Sequence, residues 1–247
     1  MYRIRRLSSI EFRSGQDYER YNAEKLNLRT LVIKEDLSTP TEFREYQDRF
    51  ISQSQIGSGT FGSVYLLKDK STSELAAAKY LRQDKDKVRF EAEILFKLIE
   101  SSFVVQLIGL YESPLNSVLV TEYLAGGDLV TRYIILLFIF KSKSSTWYFR
   151  TASDEFCLTE DKCQIFVKQI IKGIQFIHQK NIIHLDLKPF NIVFVNKEDD
   201  DLRIIDFGLA QQLKPDEDDI PIQMCGTLEF MSPEILNCDK ASRYSGE

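Results

Sequence analysis

Residues 184–191 read HLDLKPFN, and residues 206–208 read DFG. Either pattern alone is weak evidence, but the two occur in the order and rough spacing that phosphoryl transfer requires. That reaction needs an aligned hydroxyl, fixed metal ions and neutralised phosphate charge rather than covalent help from the protein. Asn191 and Asp206 supply hard oxygen ligands of the kind that Mg2+ prefers. The two patterns therefore indicate phosphoryl-transfer chemistry.

A glycine-rich pattern lies upstream and reads GSGTFGSV at residues 57–64. Glycine has no Cβ, so the backbone N–H groups of such a segment can approach phosphate oxygens closely. The alternative is a dinucleotide-binding turn, but that turn lies between a strand and a helix. Residues 51–56 and 63–67 are both β-prone, so a hairpin between two strands is predicted instead. Lys79, in the apolar run that follows, provides a positive charge for the phosphates.

These patterns resemble those of eukaryotic protein kinases from about residue 50 to residue 234. The sequence around them is most similar to the calmodulin-regulated serine/threonine group, near myosin light chain kinases, titin-like kinases and death-associated kinases. The resemblance implies an α+β, bilobal protein kinase-like fold with a β-rich N-lobe at residues 50–124 and a partial, mainly helical C-lobe at residues 125–247. Residues 1–49 are predicted to be a flexible N-terminal extension.

The resemblance also implies the cofactors and the site residues. Asp186 would orient the acceptor hydroxyl of a protein Ser or Thr, Lys188 would lie beside the transferred γ-phosphate, and Asn191 and Asp206 would bind Mg2+. The residues implied to bind ATP are Ile56, Gly57, Ser58, Gly59, Thr60, Phe61, Gly62, Val64, Ala77, Lys79, Glu91, Thr121, Glu122, Leu124, Asp128 and Val193. Three apolar members of this set, Val64, Ala77 and Val193, would enclose the adenine ring.

Two of these assignments leave alternatives open. Residues 86–98 have apolar positions every three to four residues, including Phe90, which predicts a helix with one apolar stripe. Glu91 lies off that stripe and is the implied partner of Lys79, with Glu93 as the alternative. Asp128 could contact the ribose hydroxyls or a basic peptide, and it could also be a helix N-cap, since both roles can hold together. Further along, residues 160–179 are predicted to form a long, largely buried helix.

The chain departs from the family pattern in ways that bear on regulation and specificity. Leu185 stands where most kinases have Arg, and residues 209–226 contain no Ser, Thr or Tyr. Activity is therefore predicted not to depend on phosphorylation of this loop. Phe190 replaces the acidic or polar residue usual at its position, so a preference for basic substrates is not implied. Lys188 and the Gly226–Thr227 pair indicate a serine/threonine rather than a tyrosine kinase.

Composition limits the compartment and the partners. The chain has 43% apolar and 28% charged residues, and its net charge of -5 gives no general attraction to nucleic acid. Four cysteines lack the spacing of a metal site or a disulfide framework, which favours free thiols in a reducing compartment, the cytoplasm or the nucleus. No nucleic-acid or membrane partner is predicted.

Residues 133–150 interrupt the kinase pattern. They begin with the apolar run YIILLFIF at residues 133–140, which has neither a helical nor an alternating period. This run is too short to cross a bilayer, which takes about 20 residues. The segment is interpreted as an atypical insertion, either specific to this lineage or translated from an intron.

The chain stops thirteen residues after the run MSPE at residues 231–234, before the rest of the implied C-lobe. We therefore expect an incomplete, weakly active or inactive fragment of a kinase. Any calmodulin-binding region would lie in a part absent from this chain. The alternative is a natural truncated, pseudokinase-like protein that binds nucleotide or a partner without catalysis.

Overall fold

A computed structural model of the chain describes residues 40–59, 62–81, 85–114, 116–133, 138–141, 147–150, 159–213, 220–221, 225–236 and 243–244. Thr60 and Phe61, assigned above to the ATP site, lie outside the described residues. So do residues 1–39 of the predicted extension and parts of the predicted insertion, residues 134–137 and 142–146.

A six-stranded sheet forms the N-terminal part of the fold, with the strand order β1-β5-β6-β4-β3-β2. Its strands are β1 (Pro40–Glu42), β2 (Phe50–Gly59), β3 (Gly62–Asp69), β4 (Leu75–Leu81), β5 (Leu107–Glu112) and β6 (Ser117–Glu122). All neighbours pair antiparallel except β1 and β5, which are parallel. The predicted glycine hairpin is confirmed, because β2 and β3 pair up to Gly59 and Gly62.

The folded unit begins before residue 50, so the predicted boundary of the flexible extension was wrong for residues 40–49. These residues form β1 and helix α1 (Phe43–Arg49). Tyr46 of this helix is 4% exposed, and its hydroxyl shares a 2.5 Å hydrogen bond with that of Tyr80. The Arg49 Nε donates to Asp69 Oδ2 at 2.8 Å. Residues 40–49 are rich in charged and aromatic residues and have no regular apolar spacing, so the sequence did not predict these elements. Their contacts with the sheet hold them in place.

Helix α2 (Lys85–Lys97) packs against β5 and is the single long helix described in the N-terminal part. The remaining elements are α3 (Leu129–Tyr133), β7 (Phe138–Lys141), β8 (Trp147–Arg150), α4 (Glu160–Gln179), β9 (Ile182–Ile183), β10 (Ile192–Phe194), β11 (Leu202–Ile204), β12 (Gln211–Gln212), β13 (Ile220–Pro221), α5 (Pro233–Leu236) and β14 (Arg243–Tyr244), with 3-10 turns at Pro189–Asn191 and Leu228–Phe230. Strands β10 and β11 pair antiparallel, as do β9 with β12, β13 with β14, and β7 with β8 within the predicted insertion.

Helix α4 has the predicted bounds but is less buried than expected. The Thr159 side chain caps it by accepting from the Lys162 N–H, and Phe166 and Ile177 lie in the core. Ile165 and Ile171 are 45% and 48% exposed, so only one side of the helix is covered. The predicted period was right, whereas the extent of burial depends on neighbours that the period does not specify. No helix of the described residues is both long and apolar enough to cross a membrane.

One core joins the sheet-bound helix to the strands that carry the motifs. Leu95 of α2, Leu107 of β5, Ile177 of α4, Ile204 of β11 and Phe207 belong to one buried cluster. A second cluster covers the opposite face of the sheet and includes α1. The first cluster fixes the positions of the polar groups described below, because they extend from the same elements.

Candidate active site

A lysine and two carboxylates meet where the sheet faces the end of β11. Lys79 Nζ lies 2.9 Å from Glu91 Oε1 and 2.9 Å from Asp206 Oδ1. Strand β4 carries the lysine, α2 carries Glu91, and Asp206 follows β11 with a left-handed φ of 64°. Three segments distant in sequence thus place one positive and two negative groups in contact.

Burial and charge together set the protonation of this cluster. Burial raises the pKa of Glu91 above its usual value, and Lys79 only partly opposes that effect. Burial alone would lower the pKa of Lys79, but the charges of Glu91 and Asp206 raise it. Burial also acts on Asp206, yet Lys79 holds the pKa of this carboxyl below its ordinary value. A protonated Lys79 and an ionised Asp206 are the states that phosphate binding and metal binding require.

The structure places Glu91, and not the alternative Glu93, against the lysine. Glu91 is 5% exposed on the same face of α2 as Val88 and Ala92, whereas Glu93 is exposed. The predicted apolar stripe was wrong in part, because Phe90 is 38% exposed and Glu91 faces inward. Apolar spacing cannot reveal a carboxylate that is buried because an ammonium group meets it there.

A second polar cluster surrounds Asp186, which is 8% exposed. Lys188 Nζ donates to Asp186 Oδ2 at 2.7 Å and to Thr227 Oγ1 at 2.7 Å. The Thr227 hydroxyl donates in turn to Asp186 Oδ1 at 2.7 Å. Asn191 Nδ2 donates to the Asp186 backbone carbonyl at 2.8 Å. These bonds form a closed triangle of Asp186, Lys188 and Thr227, with Asn191 fixed beneath it.

The contact between Thr227 and Asp186 was not predicted from the sequence. Gly226 before it has a φ of 106°, and a Cβ there would lie 2.6 Å from the Leu185 carbonyl oxygen. Leu185 itself has a left-handed φ of 61°. The close approach of the two backbones is what brings Thr227 to Asp186. The Gly226–Thr227 pair was the feature of the sequence that could have revealed this contact.

His184 supports the backbone of the site through its ring contacts and hydrogen bonds. Its ring lies 4.8 Å from the Phe207 ring, and its Nε2 lies 2.9 Å from the Ile205 carbonyl oxygen. Its Nδ1 accepts from the Asp186 N–H at 3.2 Å. Burial lowers the pKa of His184, so the ring is neutral, with the proton on Nε2 donated to Ile205. The histidine thereby connects the backbone of the two motifs.

The residues assigned to the phosphates and the adenine ring line β3, β4 and the glycine hairpin. Gly62 has a φ of 146°, and a Cβ there would lie 2.0 Å from the Tyr80 carbonyl oxygen, so no other residue fits. Val64 pairs with Lys79, and Ala77 pairs with Thr121, in the sheet register. Ile56, Gly57, Ser58 and Gly59 follow one another along β2.

The connection between the two parts of the fold is bonded to β10. The Ala125 N–H donates to Val195 O at 2.9 Å, and the Phe194 N–H donates to Gly127 O at 2.9 Å. A Cβ on Gly126 would lie 2.2 Å from Asn196 O, so this approach requires glycine. Within β10, Ile192 and Phe194 are buried, which puts Val193 on the opposite face, toward the connection.

Glu122 and Asp128, at the two ends of this connection, both use their side chains structurally. Glu122 Oε1 accepts from the Gln106 N–H and from Arg203 Nε, so this carboxylate is held by the protein. Asp128 caps α3, because its Oδ1 accepts from the Thr131 N–H at 2.8 Å. The N-cap alternative for Asp128 is therefore realised.

Residues 50–247 match the family model described as the protein kinase domain. The chain belongs to the protein kinase family. It is 31% identical over 217 residues to smooth muscle myosin light chain kinase of Gallus gallus, covering 86% of this chain and 10% of that protein. It is 36% identical over 195 residues to myosin light chain kinase 2 of Oryctolagus cuniculus, covering 77% of this chain and 29% of that protein.

A solved structure shows the same fold in a related kinase. The twitchin kinase region from C. elegans superposes with a TM-score of 0.58 and 28% identity, covering 69% of this chain and 28% of that chain. The present kinase-family chain therefore spans under a third of each of these relatives. The predicted kinase family and kinase fold are confirmed by these similarities.

The donor set of this kinase-family chain suits a magnesium ion held together with phosphate. The Asn191 amide nitrogen is used in the bond to Asp186 O, so its amide oxygen is the atom suited to a cation. The Ile205 N–H donates to Asn191 O at 2.9 Å, which brings Asn191 next to Asp206. One amide oxygen and one ionised carboxylate match Mg2+, which takes few protein ligands and completes its shell with phosphate and water.

Proposed function

We propose that this chain is the catalytic part of an ATP-dependent protein serine/threonine kinase. The observation that carries the proposal is that two charge clusters are assembled in one structure. Lys79 contacts both of its carboxylates, and Asp186 contacts both Lys188 and Thr227. Phosphoryl transfer needs the two together, since one cluster fixes the nucleotide phosphates and the other aligns the acceptor hydroxyl.

At the acceptor, Asp186 would take the proton of a Ser or Thr hydroxyl. Its Oδ1 accepts from Thr227 and its Oδ2 from Lys188, which fixes the plane of the carboxylate. A carboxylate oxygen can accept more than one hydrogen bond, so the substrate hydroxyl can still be bound. Lys188, held within the same triangle, provides the positive charge that the transferred group needs.

At the donor, Lys79 would bind the nucleotide phosphates while Glu91 holds its ammonium group in place. Val64, Ala77 and Val193 would enclose the base, and the backbone of residues 122–124 would hydrogen-bond to its edge. Asn191 and Asp206 would hold Mg2+. When bound, ATP supplies the γ-phosphoryl group and the metal neutralises its charge.

Two proposals concern regulation. Leu185 and the lack of Ser, Thr or Tyr in residues 209–226 support activity without loop phosphorylation. The similarity to myosin light chain kinases makes calmodulin a proposed partner, through a region that this chain does not contain. We place the protein in the cytoplasm or the nucleus on the basis of its cysteine pattern.

The test is turnover of a Ser/Thr peptide mixture by the 247-residue chain, with Asp186→Asn and a matched variant, Asp86→Asn. Asp86 is 92% exposed on α2, far from the triangle in sequence, so its change controls for loss of one carboxylate. Loss of the general base should lower turnover by about 10²- to 10⁴-fold. Binding of a fluorescent ATP analogue is measured in parallel. Nucleotide binding without turnover in the unaltered chain would favour the pseudokinase-like alternative.

A further inference from the structure

An aromatic side chain is exposed beside the proposed catalytic acid. In the 3-10 turn Pro189–Asn191, Asn191 is 5% exposed and bonded to Asp186, whereas Phe190 is 52% exposed. The side of the turn that carries Asn191 therefore faces the loop of Asp186, and the side that carries Phe190 presents its phenyl ring to solvent. Burying such a ring is favourable, so a ligand that covers it would gain affinity.

Two more apolar side chains are exposed on the segment that begins with Thr227. Leu228 and Phe230 are 63% and 48% exposed, and they follow Thr227, whose hydroxyl donates to Asp186 at 2.7 Å. We call Phe190, Leu228 and Phe230 the apolar rim. An acceptor hydroxyl must come within hydrogen-bond reach of Asp186. The polypeptide that carries this hydroxyl therefore comes close to the two segments that carry the rim.

The one carboxylate described on helix α3 and its cap, Asp128, offers little to a basic side chain beside Phe190. Helix α3 packs beside the Pro189–Asn191 turn, but its capping residue Asp128 is bonded to Thr131 through both carboxylate oxygens. Glu229 is exposed and lies between Leu228 and Phe230 in the sequence. Its carboxylate is available to a basic substrate, and the experiment below controls for it.

We propose that the target Ser or Thr of this chain's substrates has a large aliphatic or aromatic residue within three positions, which packs on Phe190 in place of a basic residue. This inference rests on the proposed function of the site. An extended peptide advances about 3.3 Å per residue, so a side chain two or three positions away lies about 7–10 Å from the target. Phe190 lies between Lys188 and Asn191, which are both bonded to Asp186, so its ring is close to the residues that would hold the target hydroxyl. Contact with the ring should improve peptide binding about tenfold.

The experiment uses alanine-based peptides with one central Ser and a single Leu, Phe or Arg at each of the three positions on either side. Their binding to the 247-residue chain is measured by fluorescence anisotropy with Mg2+ and a non-hydrolysable ATP analogue, and their phosphorylation is measured separately with ATP. At one position, Leu or Phe should bind about tenfold more tightly than Arg. Phe190→Glu should reverse this order, and Phe190→Leu should keep it.

Further variants separate ring contact from charge and from misfolding. Phe190→Gln should lose the apolar preference without gaining one for Arg, while Glu229→Gln should leave the preference unchanged. The affinity for the ATP analogue should be the same in all of these variants, which reports folding of the neighbouring site independently of peptide binding. A variant that loses affinity for the ATP analogue is left out, and the other Phe190 substitutions are compared in its place.

The outcomes distinguish this inference from the proposed function. A preference for Arg in the unaltered chain, a preference that ignores Phe190, or no binding of any peptide overturns the inference. Phosphorylation of Arg peptides in preference to apolar ones would do so while supporting the proposed function. Binding of apolar peptides that are never phosphorylated would support the inference and count against the kinase activity.

Discussion

The two faces of the N-terminal sheet differ in what holds them together. On the outer face, Tyr46 of α1 packs against Phe50 and Tyr111, with ring centroids 5.6 Å apart in each case. On the inner face, Lys79 contacts two carboxylates. Strand β4 contributes to both faces, because successive residues of a strand point to opposite sides of the sheet. Ala78 is buried on the outer face, and Lys79 points to the inner face.

The outer face of the sheet therefore contributes mainly to stability, and the polar cluster on the inner face contributes mainly to function. The outer face is held by dispersed apolar and aromatic contacts, whose loss affects folding of the whole sheet. The polar cluster on the inner face depends on a single ammonium group, whose loss should affect the chemistry more than the fold. Changes to one face should therefore leave the property governed by the other face intact, and each experiment below tests that separation.

Removing the ring of Tyr46 should have the largest effect. Tyr46→Ala should lower the free energy of unfolding by about 3–5 kcal/mol, the usual cost of deleting a buried aromatic side chain. Tyr46→Phe keeps the ring and removes only the bond to Tyr80, so it should cost about 1 kcal/mol. Urea unfolding measures both. Equal stability of Tyr46→Ala and the unaltered chain would show that α1 does not belong to the folded unit.

Removing the ammonium group of Lys79 should act on turnover. Lys79→Met should lower the rate of peptide phosphorylation by about 10²- to 10³-fold, the usual effect of losing one preorganised charge-stabilising group. Lys168→Met, at an exposed position on α4, is the matched control and should keep normal turnover. The comparison between the faces fails if Lys79→Met loses as much stability as Tyr46→Ala.

Glu91 and Glu93 offer a matched pair on one helix. Glu91→Gln keeps the size of the side chain but removes the charge that holds Lys79, so turnover should fall about tenfold, which corresponds to about 1.4 kcal/mol. Glu93→Gln, two residues away and exposed, should have no effect. Initial rates at saturating ATP decide the matter, and equal losses in the two variants would contradict the structural assignment.

His184 is one of two histidines in the chain, and its burial predicts a smaller effect, a dependence of the free energy of unfolding on pH. Burial lowers the pKa of His184 in the folded state, so the unfolded chain binds a proton that the folded chain does not. Stability from this group is therefore complete above the unfolded pKa of about 6.5 and is lost as pH falls, by at most about 1.4 kcal/mol per pH unit.

Unfolding measured between pH 7 and pH 5 tests this sign. His184→Gln should flatten the dependence of stability on pH. Retention of the full slope in His184→Gln would assign the pH dependence to other groups.

Local sequence was most informative where the chemistry depends on short spacings. Asp186, Lys188 and Asn191 lie within six residues, and their side chains meet because one loop and one 3-10 turn carry them all. The helix at residues 160–179 was also predictable, since its period is a local property. The inward position of Glu91 was not, because it depends on Lys79, which lies on another element.

The motifs alone were enough to identify the family and the kinds of residue present at the proposed site, because each motif encodes its chemistry within a few positions. Only the tertiary structure decided that residues 40–49 complete the sheet, that Thr227 closes the triangle at Asp186, and that Phe190 faces solvent. Those three facts depend on which distant segments come into contact, and such contacts are set by packing of the whole chain rather than by any local pattern.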